Sequence, residues 1–263
     1  MITVRDIEQF LYDWAPPDTA ESWDNVGLLV GRPDRPVRRG LVALDVTPAV
    51  AAEAAELGAD LIVAHHPVMN VRWHEREMQT LRDDTRLGGL LTCLVRQDLS
   101  VICMHTNLDA AEGGVNVCLA QKLGLSGTIP LNEQKIGRIG TLSCEIPLEQ
   151  FLHDVVKSLS CRGLRYRDGG RPVHRVAVGG GACGEYIPHA LAQGCDTFVT
   201  SDLRYNDFLD TRGLNLIDAG HFPTEDVVCP EVVHRLQKAF PDIRVSKSAV
   251  HHDAVQYYMT EGE

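Results

Sequence analysis

Of the 263 residues in the chain, 44% are hydrophobic and 23% are charged, which is ordinary for a soluble globular protein with one large core or two moderate ones. The formal net charge of −11 argues against non-specific binding of nucleic acid, which relies on a basic surface. The first residues lack the apolar core of a signal peptide, and no apolar run approaches the roughly 18 residues that cross a bilayer, so the sequence predicts a cytoplasmic protein that does not enter a membrane.

The first half of the chain predicts a helix followed by an α/β unit. Thr3 and Asp6 resemble a helix cap, and Pro16-Pro17 ends the helix that follows. Apolar runs predict buried strands, and the amphipathic segments between them predict helices. The predicted strands cover residues 41–45, 60–64 and 100–104, and the predicted helices cover residues 48–57, 85–97 and 113–123. Because helices connect the strands, we expect the strands to be parallel.

The second half of the chain approximately repeats this pattern. The corresponding segments are residues 58–64 with 194–200, residues 42–44 with 176–178, and His105-x-x-x-Asp109 with His221-x-x-x-Glu225. Chance similarity is an alternative, because βαβ units share a pattern for physical reasons. The matched His-x-x-x-acid ends favour duplication.

Three short segments rich in histidine and acidic residues each follow a predicted strand. They are His65-His66-Pro67, His105-Thr106-Asn107-Leu108-Asp109 and His221-Phe222-Pro223-Thr224-Glu225. Imidazole and carboxylate groups are the ligands of Zn, Mn, Fe and similar divalent ions. Because five or six such ligands exceed the needs of one tetrahedral ion, the segments predict a pair of ions that share a carboxylate.

The predicted fold class is α/β, with two similar α/β lobes and a metal site in the cleft between them. Open sheets bind ligands at the carboxyl ends of their strands, where these segments lie. The first predicted lobe, residues 1–127, carries His65, His66 and Asp109. The second, residues 128–263, carries His221 and Glu225, and its last segment can pack back on the first lobe. Residues 124–138 are the expected connection.

The candidate ligands have alternative roles. Neighbouring side chains on an extended segment point to opposite sides, so we expect His65 and His66 to face different ions. The alternative is two unrelated histidines. Asp109 could instead cap a helix that begins at Ala110, whereas Glu225 follows a strand directly and is harder to explain otherwise. His105 could be a ligand, a group that supports a ligand, or a general base.

Other motifs have plain structural explanations. Gly179-Gly180-Gly181 follows a strand and could bind an anion through backbone N–H groups, but a tight turn explains it equally well. His251-His252-Asp253 superficially resembles a metal motif, and an exposed tail is the favoured interpretation. The eight cysteines include no Cys-x-x-Cys and predict reduced, buried thiols.

The ordered set of motifs resembles the Nif-three-like family, which includes YbgI-type proteins and those named GTP cyclohydrolase 1 type 2 homologues. The motifs are Trp23-Asp24-Asn25-Val26-Gly27-Leu28, His65-His66-Pro67, the His105–Asp109 segment with Gly113-Gly114-Val115-Asn116, and Gly220-His221 through Glu225. The resemblance extends to about residue 230, and the ordered set is more specific than any one motif. Two segments depart from the family pattern: residues 71–76 and the stretch from Arg244 onward.

The resemblance implies a two-lobed subunit of a toroidal homohexamer that binds two divalent metal ions per chain, either Zn, Fe, Mn, Co or Ni. The family's ligands correspond to His65, His66, Asp109, His221 and Glu225, and His105 is not carried over as a ligand. The implied activity is that of a metal-dependent hydrolase acting on a nucleotide or related phosphorylated heterocycle, as in a GTP cyclohydrolase. The alternative is a non-catalytic metal-binding hexamer: a metallochaperone, a metal sensor or an interaction scaffold.

Overall fold

The computed structural model describes residues 1–69 and 80–258. In these ranges the strands are β1 (Gly27–Val30), β2 (Arg39–Ala43), β3 (Leu61–Ala64), β4 (Ser100–Cys103), β5 (Ser126–Pro130), β6 (Arg138–Ile146), β7 (Arg165–Arg167), β8 (Val173–Val178), β9 (Thr197–Thr200), β10 (Asn215–Asp218) and β11 (Arg244–Lys247). The α-helices are α1 (Val4–Trp14), α2 (Pro48–Glu56), α3 (Arg86–Arg96), α4 (Thr106–Ala110), α5 (Val115–Lys122), α6 (Leu148–Leu159), α7 (Ile187–Ala192), α8 (Tyr205–Asp210), α9 (His221–Glu225) and α10 (Cys229–Ala239). The predicted cap of α1 is present, since Thr3 and Asp6 each accept a hydrogen bond from the other's backbone N–H.

The chain forms two compact units, and each is assembled from two stretches of sequence. The first unit combines Met1–Gly114 with Cys229–His251, and the second combines Val115–Val228 with the segment that begins at His252. These units differ from the predicted lobes, 1–127 and 128–263. The difference arises because α5 and β5 pack on the second sheet, whereas α10 and β11 pack on the first.

The sheet of the first unit has the strand order β1-β4-β3-β2-β11. Strands β2, β3 and β4 are parallel, as predicted. Strand β11 extends the sheet in parallel beside β2, and β1 closes the other edge in antiparallel orientation beside β4. The segment from Arg244, which was expected to depart from the family pattern, contributes an edge strand. The other departure, residues 71–76, lies outside the described residues.

The sheet of the second unit repeats the parallel core of the first. Its strand order is β5-β6-β8-β9-β10-β7, with β8, β9 and β10 parallel and β7 antiparallel beside β10. Both units thus share three consecutive parallel strands in the same order, with an antiparallel strand beside the third, and the first unit has β11 as a fourth parallel strand. The predicted class of two similar α/β lobes is confirmed. Residues 124–138 are not a connection, because β5 lies within them and pairs with β6.

The strands that precede the candidate segments are buried along their whole length. Every residue of β3, β4, β9 and β10 is buried, as expected for parallel strands covered by helices. In the first unit, α2 and α3 share one apolar cluster with β3 and β4. The candidate segments therefore follow strands that lie within the core.

Two predictions from composition concern the cysteines and the membrane. Cys103, Cys161, Cys183, Cys195 and Cys229 are buried, in agreement with the predicted buried thiols, whereas Cys93 and Cys118 are half-buried and Cys144 is exposed. Across residues 1–69 and 80–258, no helix is both long and apolar enough to cross a bilayer.

Candidate metal centre

In the first unit, neighbouring parallel strands deliver histidines to one edge of the sheet. His65 and His66 follow β3 directly, and His105 lies two residues after β4. Because β3 and β4 are adjacent and parallel, their carboxyl ends meet at the same edge. One potential ligand atom from each of the three histidines lies within 4.8 Å of the other two. The predicted clustering at the strand ends is thus present within this unit.

His65 and His66 reach the same cluster although they are neighbours in sequence. The backbone N–H groups of both residues donate to the carbonyl oxygen of Leu44, at 3.1 and 2.9 Å. Consecutive amides in a regular strand point in opposite directions, so the backbone bends at this point. The expectation that the two side chains diverge does not hold, and their ring centroids are 4.9 Å apart.

Asp109 enters the cluster because His-x-x-x-Asp has the spacing of one helical turn. His105 occupies the N-cap of α4 and Asp109 lies near the end of that helix, so both side chains are on one face. The Asp109 Oδ1 atom is 3.8 Å from Nε2 of the buried His65. The alternative role of Asp109 as a cap for a helix beginning at Ala110 is wrong, since α4 ends at that residue.

Each histidine of this cluster has its Nδ1 atom held by an oxygen that can only accept. Nδ1 of His65 is 2.8 Å from the carbonyl oxygen of Met104, and Nδ1 of His66 is 2.8 Å from Oδ1 of Asp45. Nδ1 of His105 is 2.9 Å from Oδ1 of Asp24. Because the proton must then reside on Nδ1, the neutral ring carries its lone pair on Nε2. A metal-binding imidazole usually donates the N–H of its other ring nitrogen to an oxygen in this way.

Asp24 supports His105 and belongs to the Trp-Asp-Asn motif, for which the sequence predicted no role. Its other oxygen accepts from the backbone nitrogen and the hydroxyl of Thr106, at 3.0 and 2.5 Å. Burial opposes the charged carboxylate, but the hydrogen bonds from His105 and Thr106 outweigh it and lower the pKa of Asp24 to about 2. Burial lowers the pKa of His105 and outweighs the carboxylate beside it, so this ring is neutral at pH 7.

Asp45 and His251 are two further residues that sequence reasoning missed. Asp45 comes just after β2, at the same edge as the histidines, and this position was an available signal. Its Oδ2 atom is 3.0 Å from Nε2 of His251, whose side chain is only 8% exposed. Although burial raises it, hydrogen bonds from His251 and His66 hold the pKa of Asp45 well below its usual range. The interpretation of residues 251–253 as an exposed tail is therefore wrong for His251.

In the second unit, α9 carries the other His-x-x-x-acid segment. His221 and Glu225 are its first and last residues, and Nε2 of His221 is 3.0 Å from Oε2 of Glu225. Nδ1 of His221 is 2.6 Å from Oδ2 of Asp202, so this ring has the same orientation as the three histidines of the first unit. Burial opposes the charge on His221, but Glu225 and Asp202 outweigh it and raise the pKa of the imidazole to about 11.

Asp202 and Asp218 position the side chain of His221 and the loops next to it in the second unit. Asp202 has the left-handed backbone angle φ of 54°, which aspartate tolerates better than most residues. The Asp218 carboxylate accepts from the backbone N–H groups of Leu203 and Gly220, both at 3.1 Å. One buried carboxylate therefore holds the loop before α8 and the loop before α9 together. Ser201-Asp202 occupies the position that corresponds to His65-His66 in the repeat.

The glycine run of the second unit is a structural turn. Gly179 donates its backbone N–H to Val199, Gly180 donates to Oδ1 of Asn116, and Gly181 donates to the hydroxyl of Thr224. Since all three amides already have protein acceptors, they do not form an anion cradle. The last of these bonds attaches the turn to α9.

The donor set of the first unit fits a divalent metal ion, and the second unit holds two further groups of the same ligand types. Three oriented imidazoles and a carboxylate lie together in the first unit, and an oriented imidazole and a carboxylate lie together in the second. Nitrogen and oxygen donors of this kind suit Zn, Mn, Fe, Co or Ni. The prediction that both lobes contribute to one dinuclear site stays a prediction.

Comparisons with known proteins agree with the motif pattern. Residues 2–254 match the family described as Duf34/NIF3 (NGG1p interacting factor 3). The chain is 32% identical over 244 residues to a GTP cyclohydrolase 1 type 2 homolog of Clostridium perfringens, covering 89% of this chain and 91% of the relative. It is 34% identical over 224 residues to a protein of the same name from Streptomyces coelicolor, covering 80% and 77%.

A solved structure has the same fold. The crystal structure of Staphylococcus aureus hypothetical protein SA1388 superposes with a TM-score of 0.89 at 29% identity, covering 97% of this chain and 99% of the other. The family match spans nearly the whole chain and includes all three histidine-bearing segments. This chain therefore belongs to the Duf34/NIF3 family.

Proposed function

We propose that this protein is a metal-dependent hydrolase that acts on a nucleotide or related phosphorylated heterocycle. The observation that carries the proposal is the common orientation of four histidines, His65, His66, His105 and His221, each with Nδ1 held by a carbonyl or carboxylate oxygen. Such preorganisation is typical of metal-binding imidazoles. The name shared by the Clostridium perfringens and Streptomyces coelicolor relatives supports a nucleotide such as GTP as the substrate class.

The proposed cofactor is a pair of divalent ions, with Zn, Fe, Mn, Co and Ni as the candidates. The proposed ligands are the five residues that correspond to the family's ligand set: His65, His66, Asp109, His221 and Glu225. A bound divalent ion supplies Lewis acidity and lowers the pKa of water, which is the chemistry that hydrolysis requires. Asp24, Asp45 and Asp202 keep the proton of their histidine on Nδ1.

His105 is the proposed general base. Burial keeps its ring neutral, and the hydrogen bond to Asp24 leaves Nε2 as the atom that can accept a proton. Its side chain is 9% exposed, so bulk water does not solvate it extensively. A neutral, oriented imidazole beside candidate ligands is suited to proton transfer.

Replacing His105 by alanine should separate this role from metal binding. We expect the metal content per chain to remain near that of the wild type, while turnover falls by about 100-fold or more, as for the loss of a general base. Plasma mass spectrometry and initial rates on the same preparation provide the two measurements. Loss of a whole equivalent of metal would instead place His105 among the ligands.

Metal binding should release a proton from His221. The pKa of about 11 means that its imidazole is protonated at pH 7 in the metal-free protein, and a metal ligand must be neutral. Affinity should therefore rise with pH, by roughly tenfold per unit for one proton. Titration calorimetry in buffers with different ionisation enthalpies measures the released protons. In Asp202→Asn the pKa of His221 should be lower, because one of its two acidic partners is neutralised. Proton release should therefore decline at a lower pH than in the wild type, and the same pH dependence in both proteins would contradict this account.

The activity itself is tested with protein reloaded separately with each candidate ion. Each preparation is incubated with GTP and a panel of other nucleotides, and products are identified by liquid chromatography with mass spectrometry. We expect a hydrolysed product that requires metal and is absent with Glu225→Ala. Nucleotide should also raise the melting temperature only when metal is present.

The opposite result would favour the other class of function. A chain that binds metal but produces no hydrolysis product with any ion or nucleotide would be a metallochaperone, metal sensor or scaffold. The family resemblance also supports a toroidal homohexamer as a proposal, and the predicted cytoplasmic location stays a separate proposal. Light scattering at several protein concentrations tests the first of these.

A further inference from the structure

A chain of hydrogen bonds in the first unit connects His66 with a residue far along the sequence. The two carboxylate oxygens of Asp45 are shared between two histidines: Oδ1 is 2.8 Å from Nδ1 of His66, and Oδ2 is 3.0 Å from Nε2 of His251. The backbone N–H of Asp45 also lies 3.2 Å from this Nε2 atom, but an Nε2 that donates its proton to Oδ2 does not accept from that N–H as well. His251 thus contacts both the side chain and the backbone of the residue that holds His66.

Hydrogen bonds of its own backbone and of the preceding residues hold His251 in place. Its backbone nitrogen donates to the hydroxyl of Ser248 at 3.1 Å, and that hydroxyl donates to the carboxylate of Glu53 on α2. The backbone nitrogen of Ala249 donates to the other oxygen of Glu53 at 2.8 Å. Ser248 also donates its backbone N–H to Val42 in β2 at 2.7 Å. These bonds attach residues 248–251 to the framework of the first unit.

A second hydrogen bond restricts the rotation of a carboxylate that orients an imidazole. A carboxylate bonded through one oxygen can rotate about its terminal torsion, and Asp45 has a side chain that is 41% exposed to competing water. Bonding of Oδ2 by a fixed donor restricts that rotation and keeps Oδ1 directed at His66. Outer groups of this kind tune the geometry and basicity of metal-binding histidines.

We infer that His251 is a positioning residue, which acts through Asp45 to hold the His66 imidazole in the orientation required for metal binding. The inference rests on the proposed function only in taking His66 as a ligand. It assigns a role in the metal centre to a residue that had been predicted to lie in an exposed tail.

The test uses the full chain and Zn²⁺ alone as the probe. Apparent Zn²⁺ affinity is measured by competition with a chelating dye for the wild type, His251→Ala, His251→Gln, Asp45→Ala and the double variant. His251→Ala should weaken binding about tenfold, at the low end of the range for groups that support a ligand. His251→Gln should recover most of the loss, because its amide N–H can donate to Asp45. The double variant should bind no more weakly than Asp45→Ala.

A matched control and a metal-free readout separate positioning from folding. His252→Ala removes the neighbouring exposed histidine and should bind Zn²⁺ like the wild type. In the metal-free protein, histidine labelled with ¹⁵N should show His66 as the Nδ1–H tautomer in the wild type and a mixture in His251→Ala. Wild-type affinity and an unchanged tautomer in His251→Ala would overturn the inference.

The two proposals fail in different ways. Zn²⁺ binding without hydrolysis would refute the proposed function and leave the positioning role supported by the affinity series. If the wild type bound no Zn²⁺, His66 would not be a ligand and both proposals would fail, whereas wild-type Zn²⁺ affinity in His251→Ala would overturn the inference alone.

Discussion

Replacing His66 by alanine is expected to remove at least one equivalent of metal from the chain without unfolding it. His66 is oriented by Asp45 and lies in the cluster with His65 and His105. Removal of a ligand should weaken metal binding by more than the roughly 10- to 100-fold that follows removal of a group that supports a ligand. The fold should survive, because the histidine follows β3 and does not contribute to the apolar cluster of the unit. Metal per chain is measured by plasma mass spectrometry after reloading.

His174→Ala is the matched control for this prediction. His174 is exposed on β8, so its removal should leave the metal content unchanged. Circular dichroism and the melting temperature establish that both variants are folded. Full metal occupancy in folded His66→Ala would remove this residue from the proposed ligand set.

Replacing Glu225 by alanine is expected to remove metal and also to change the metal-free protein. The Glu225 side chain is 4% exposed and lies 3.0 Å from Nε2 of His221, so the variant loses both a proposed ligand and an ion pair. Without Glu225 the pKa of His221 should fall, because its largest charge partner is gone. The cost in the free energy of unfolding should be less than the about 3–5 kcal/mol typical of a broken buried pair, since His221 is 37% exposed and water screens it.

The sign of the pH effect follows from the raised pKa of His221. A group with a higher pKa in the folded state stabilises the fold most below its unfolded value and loses that contribution as pH rises toward the folded value. The wild-type advantage over Glu225→Ala should therefore shrink between about pH 6.5 and pH 11. Urea unfolding of both metal-free proteins across this range measures it. Glu185→Ala, which removes an exposed carboxylate, is the control, and an advantage that is constant with pH would contradict the pairing.

Local periodicity predicted the elements that present the candidate residues. The apolar runs at 60–64 and 100–104 are buried strands, and the spacing of His105 and Asp109 corresponds to a helical turn. The repeat indicated that His221 and Glu225 would stand at an equivalent strand end, and the topology of the second sheet agrees with it. These features were accessible because burial and helical geometry leave a regular pattern within about ten residues.

The hydrogen-bonding partners of the histidines were not accessible in that way. Asp24 and His105 are 81 positions apart, and Asp45 and His251 are 206 positions apart. The pattern of apolar and polar residues does not predict such pairs. Each pair depends on which strands are neighbours in the sheet and on where the C-terminal segment packs against the first sheet. The convergence of His65 and His66 was also missed, because their backbone bends where both N–H groups donate to Leu44, at the end of a different strand.

The sequence by itself determined the α/β class, the duplicated parallel strands and the placement of histidine and carboxylate groups where those strands end. These properties follow from the order of apolar and polar residues along the chain. Only the tertiary structure decided the direction of His65 and His66, the assignment of Asp24, Asp45 and Asp202 to their histidines, and the burial of His251. Each of these properties depends on a hydrogen bond between separate segments of the chain. Such a bond forms only when the strands and loops pack so that the two segments become neighbours.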